Sequence, residues 1–191
     1  MAAPASGKRR ADAERNIARI VSAARAQLSA DPNATIDDIA KAAGVGRMTL
    51  YGHFRTRPDL VVAALTQALE AGASVLSAVD LEGDARGAME RLLTSSWALV
   101  AESSALVVAA EDVLPAERIR ALHEAPAARM ADLVRRGQDQ GVFRTDMSAE
   151  WLVDVAHFIL HGAAGQVRSG RLHADDAADL VTRSIQSVLA G

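Results

Sequence analysis

The 191-residue chain has no cysteine, which excludes disulfides, thiolate nucleophiles and cysteine metal sites and fits a reducing compartment. Aromatic residues make up only 3% of it. Alanine and leucine dominate instead, and that balance favours helix over sheet. Uninterrupted apolar runs are short: AlaLeuValValAlaAla at 105–110 falls far below the roughly 20 residues of a membrane span. The basic residues of MAAPASGKRRADAE are followed by no apolar stretch, so no secretory signal is expected and the protein reads as cytoplasmic, with no membrane partner. No Ser/His/Asp, paired-carboxylate or phosphate-loop arrangement specifies a reaction, so neither enzymatic activity nor a cofactor is expected.

Half of the residues are hydrophobic, enough for a sizeable core in one large domain or two smaller ones. The net charge of −3 is unevenly spread. Residues 1–60 hold ten basic and six acidic residues, or +4; residues 61–191 hold eleven and eighteen, or −7. Chance scatter can give such a split, but a basic head on an acidic body accounts for it directly.

Residues 1–11 are small, polar and basic, and read as a disordered arm. From Asp12, the residues Ile17, Ile20, Val21, Ala24 and Leu28 recur at helical spacing. A turn at 30–35 leads to a short helix over 35–44, with Thr35 as N-cap and Asp38 completing a capping box. Thr56 and Asp59 repeat that pattern, and Pro58 lies in the first turn of a helix running to about Val79. Further helices are predicted over 85–103, 104–112, from Pro115 to before GVFRTD, 148–169 and 174–190, with Pro126 kinking or splitting the third. No convincing strand is found. The expected architecture is all-α: a helix-turn-helix head over 12–60 and a larger helical body over 61–191.

The stretch GVGRMTLYGHF at 44–54 carries three glycines between helical segments. Gly44 sits where a left-handed residue ends the first helix, and Gly46 where an N-cap starts the next. Val45 and Leu50 then occupy the positions of a hydrophobic staple, and Leu50 and Phe54 share a core-facing stripe. Arg47, Met48, Thr49, Tyr51, Gly52, His53 and Arg55 are left outward. That set suits double-stranded DNA. Arg47 can pair with guanine O6 and N7, and Met48 can meet a thymine methyl. Thr49, Tyr51 and His53 can bond phosphates, while Arg57 and Thr35 stand at helix starts that attract phosphate. A helical hairpin in an ordinary α domain would bury the same Leu50, Phe54, Ile36 and Ile39.

The segment TIDDIAKAAGVGRMTLYGHFRTRPDL resembles the DNA-binding signature of the tetracycline-repressor-like (TetR) family: A-x-x-A-G-V, a T-L-Y turn, then Phe followed three residues later by a basic residue. The resemblance covers about residues 12–62. It departs at Gly46, where the family commonly has serine, and at Gly52, usually a larger residue. It implies about nine helices, a homodimer, and a body pocket whose small-molecule effector releases a repressor from its operator.

In the body, Trp151, Val155, Ile159, Gly162 and Gln166 recur at three-to-four spacing, as do Ala177, Leu180, Val181, Ser184, Ile185 and Val188. Val155, Ile159, Gly162, Val181, Ile185 and Val188 are the expected dimer interface, intramolecular core being the other reading. Met89, Trp97, Met130, Trp151 and Phe158 are the large side chains expected near a ligand pocket, although core packing explains them too. His157 and His161 stand one turn apart with Asp154 before them, a spacing that suits a metal but lacks a fixed third ligand; satisfied histidines are the preferred reading. Glu111–Asp112 and His123–Glu124 are read as solvated helix faces. Two other functions compete with a regulator: a helical protein-interaction module, or an all-α enzyme that uses the basic face as a partner surface.

Overall fold

The computed structural model describes residues 5–190, which form nine α-helices and no strand: α1 (Ala5–Ala30), α2 (Ile36–Ala43), α3 (Arg47–His53), α4 (Arg57–Ser77), α5 (Ala85–Glu111), α6 (Ala116–Leu122), α7 (Glu124–Asp139), α8 (Ala149–Arg168) and α9 (Ala174–Ala190). Two features differ from the sequence-based expectation. The arm expected to be disordered over 1–11 is helical from Ala5, because alanine, lysine and arginine there are all good helix formers; residues 1–4 lie outside the described residues. The helices expected at 85–103 and 104–112 are one continuous α5. The Ser103 hydroxyl donates to the Leu99 carbonyl one turn back, so this polar side chain is satisfied without the helix ending there. The helix expected from Pro115 is split, as Pro126 predicts, into α6 and α7. The chain breaks at His123, and Pro126 lies in the first turn of α7, where its missing N–H costs nothing.

Two compact units emerge. The first holds the chain to Leu69 together with Ala105–Ile119, and the second holds Glu70–Ser104 with Arg120 onward. The boundary expected between residues 60 and 61 is therefore displaced: most of α4 and the last turns of α5 pack with the head. In the first unit, α1 packs on α2 and α2 on α3, and Ile20, Leu28, Ile39 and Leu50 on these helices and Leu60 and Leu65 on α4 are buried. In the second, α7 packs on α8 and α8 on α9. A single core there joins Met89, Leu93, Trp97, Met130, Phe143, Leu152, Leu160, Val181 and Ile185. Gly137 belongs to that core for a steric reason. A Cβ at this position would stand inside the ring of Phe143, so α7 needs glycine for the GVF segment to fold back on it.

By length and composition, α4 and α5 are each apolar enough to cross a membrane, with an 18-residue window of mean hydropathy 1.5. Counting uninterrupted runs did not reveal this. Each window is buried only in part, 28% on α4 and 44% on α5, through Leu60, Val61, Ala64 and Leu65 on one and residues including Ala88, Met89, Leu92, Leu93 and Trp97 on the other.

Candidate nucleic-acid interface

The head is built from local devices. Thr35 accepts the Asp38 backbone N–H at 3.2 Å and its own N–H donates to Asp38 Oδ2 at 3.0 Å, a reciprocal capping box that starts α2. The Thr35 hydroxyl donates to the same carboxylate at 2.6 Å, which holds the Asp38 carboxyl below the usual carboxylate range. The phosphate contact expected of Thr35 therefore competes with the cap. At the other end of α2, Gly44 is left-handed (φ 64°). Its N–H bonds to the Lys41 carbonyl and that of Val45 to the Ala40 carbonyl, the two bonds of a Schellman stop. Arg19, on α1, reaches the same end and donates to the Ala43 and Gly44 carbonyls at 3.1 and 3.3 Å. That cation lies at the negative pole of α2, and no sequence pattern links it to a position 24 residues away.

Gly46 then caps α3 in an extended conformation with no side-chain hydrogen bond. Leu50 is fully buried, and its N–H bonds to the Gly46 carbonyl at 3.1 Å. Anchored there, α3 turns Arg47, Met48, Thr49 and Gly52 outward; Met48 is 82% exposed. Tyr51 and His53 are half-buried. The structure thus brings six of the expected contact residues, Arg47, Met48, Thr49, Tyr51, His53 and the cap Gly46, onto one short helix. A Cβ at Gly52 would meet no atom within 4 Å, so the fold itself does not require glycine there.

Two of the expected arginines are already engaged. Arg57, the first residue of α4, is half-buried and donates to the Pro32 carbonyl at 2.6 Å, tying α4 to the turn before α2. Arg47 donates to Asp37 Oδ2 at 2.8 Å, and its guanidinium lies 5.6 Å from the centroid of the Tyr51 ring, within cation–π range. The sequence reading did not single out Asp37.

The second unit redistributes the other expected residues. Met89, Trp97 and Met130 are core, packed with Leu93, Leu152 and Leu160. Trp151 and Phe158 are instead 52% and 71% exposed, because they lie on the face of α8 opposite Leu152, Ala156 and Leu160. None of the five lines the open cleft of about 620 Å³ bordered by Val75, Val79, Asp80, Glu90, Arg91 and Thr94. Of the expected interface residues, Val181 and Ile185 are buried in the core of their own unit, and Ile159 and Val188 pack against that core. Val155 and Gly162 remain on the outward face of α8 with Trp151 and Phe158.

The histidines gather more closely than their spacing suggested. The His161 ring lies 6.5 Å from that of His157 and 6.1 Å from that of His123, edge-on. Burial, then the neighbouring His123 and His157, push His161 down to about 4. Burial and His123 lower His157 as well, against an opposing pull from Asp154. Among the described residues, no group of three or more His, Cys, Asp or Glu side chains is disposed to hold a metal ion.

Residues 20–64 match the family model described as bacterial regulatory proteins, tetR family. No curated protein sequence matches the chain. Among solved structures, the fold is shared with a transcriptional regulator from Saccharomonospora viridis in complex with choline, at 22% identity over 91% of this chain and 95% of that one (TM-score 0.75). It is shared with LfrR from Mycobacterium smegmatis in complex with proflavine, at 21% identity over 93% and 98% (TM-score 0.72). A TetR-family regulator from Agrobacterium tumefaciens is similar at 18% identity over 94% and 100% (TM-score 0.75).

Proposed function

We propose that this chain, whose head and all-helical fold are of the TetR regulator type, is a cytoplasmic repressor that binds operator DNA as a homodimer and is released by a small-molecule effector. The observation that carries the DNA reading is α3. It is a short helix locked from below by Leu50 and aimed by the Gly44 stop and the Gly46 cap, with arginine, methionine and threonine as its first outward residues. The first turn of such a recognition helix is the part that meets base edges in a major groove.

The dimer reading rests on the outward face of α8. Trp151 and Phe158, one side of a helix whose other side is core, form an apolar patch of the kind a second copy covers, and paired heads are what half-site recognition needs. The effector reading draws on the choline and proflavine held by two proteins of the same fold. Its mechanism is a population shift: a ligand favouring a state whose heads are wrongly spaced for the operator lowers operator occupancy.

The test is binding of the purified chain to the DNA upstream of its own gene across a salt series. Salt-sensitive, sequence-dependent binding is expected. Arg47→Ala should erase about 1–3 kcal/mol of discrimination at one base pair. Phe158→Glu should yield monomers by sedimentation and weaken operator binding. Failure to bind any upstream fragment sinks the reading.

A further inference from the structure

The guanidinium of Arg47 has two neighbours within its own head. Asp37, the second residue of α2, accepts its Nη1–H at 2.8 Å, and the Tyr51 ring lies beneath it at 5.6 Å. Both partners of the ion pair are more than half exposed, so the pair stands in solvent at the face the DNA reading assigns to the groove. It joins α2 to α3 across ten residues of sequence, and the rest of the head does not need it. The Schellman stop, the Leu50 anchor and the α1–α2 packing fix those helices independently.

We infer that Asp37 is a positioning residue for sequence discrimination: it holds Arg47 aside, over Tyr51, so that Arg47 binds only where a base edge repays the loss of the carboxylate. This rests on the DNA-binding reading above. The physical reason is a contrast between acceptors. A guanine offers O6 and N7 to the guanidinium fork together, two bonds in place of the one Asp37 supplies. A wrong base offers no such pair, and there Arg47 keeps its carboxylate and stays neutralised. A paired Arg47 also releases no counterion, so the ion pair suppresses binding to arbitrary sequence more than binding to the operator.

The experiment compares two duplexes of equal length by fluorescence anisotropy over a salt series. One is enriched by the full-length protein from a random-sequence pool, and the other is its scrambled counterpart. Asp37→Asn is expected to tighten binding to the scrambled duplex about two- to fivefold, the scale of an exposed ion pair. Its log–log salt slope should steepen by about one, the signature of one more cation free to meet phosphate. The selected duplex should gain less, so the ratio of the two affinities falls. In an Arg47→Ala background, Asp37→Asn should leave both the ratio and the slope unchanged.

Equal tightening on both duplexes, or the same gain in the Arg47→Ala background, overturns the inference. Asp37 would then act as a plain negative charge, and the DNA-binding reading would stand. Absence of salt-sensitive binding by the unsubstituted protein overturns both.

Discussion

Both units cap helices locally and add arginines from elsewhere in the chain; they differ in how distant those arginines are. In the head, α2 and α4 begin on Thr–Asp boxes three residues wide and α2 stops on Gly44. In the second unit, Ser148 caps α8 and left-handed Gly141 and Gly170 follow α7 and α8, while the chain after α4 is held by arginines. Arg129 donates to the Leu76 and Val79 carbonyls, Arg136 to Leu81 at 2.5 Å, and Arg91 to Asp80 and Glu82 at 2.8 Å each. The arginine that reaches the end of α2, Arg19, comes from the helix just before it, so the head is specified from neighbouring elements. Arg129 and Arg136 come from α7, so the end of α4 forms only when α7 has packed.

That contrast can be broken at its strongest point first. Arg129→Leu leaves the carbonyls of Leu76 and Val79 without their charged donor, at about 2–3 kcal/mol. Urea unfolding followed by tryptophan emission reports on the second unit alone, since Trp97 and Trp151 both belong to it. A shift in midpoint no larger than that of an exposed substitution would refute the cap.

Acid should also act on the second unit. Burial favours the neutral imidazoles of His157 and His161. The stability His161 contributes is therefore full above its ordinary 6.5 and is lost as pH falls toward about 4. At pH 5 the loss is on the order of 1–2 kcal/mol. His161→Phe should flatten the dependence of the tryptophan-detected midpoint between pH 7 and pH 5. An unchanged slope would dismiss the cluster as its source.

Thr35→Ala removes the box that starts α2, at about 1 kcal/mol. Circular dichroism should show early melting of helix, with tryptophan emission unmoved. Early loss of both signals would mean the local cap serves the whole chain.

The smallest effect has the opposite sign. Gly52→Ala, in open space on an exposed helix, should stabilise the head by up to about 1 kcal/mol. If it does so while weakening DNA binding, glycine is kept there for close approach of the DNA backbone. If binding is unchanged, it is not.

The same contrast decides what the sequence disclosed. Gly44, Gly46, Leu50 and both boxes were legible because each device spans three to five residues and has few alternatives. The partnership of Arg47 with Asp37 was not, because it joins two helices ten residues apart and depends on how α2 and α3 cross. In the second unit, periodicity located α8 and α9 but could not say which side of each helix finds a neighbour. Val181 and Ile185 were therefore assigned to an interface and proved to be core, and Trp151 and Phe158 were assigned to a pocket and proved to be surface. The run at 85–111 reads as two helices, and the structure makes it one, with Ser96 buried and the Ser103 hydroxyl bonded back to the Leu99 carbonyl.

The open space around Gly52 has a practical consequence. Since the chain has no cysteine of its own, Gly52→Cys would introduce a unique thiol on the outer face of α3, where no atom crowds its Cβ. A fluorophore attached there would report whatever approaches that face, and Arg47, Met48 and Asp37 would all keep their native side chains.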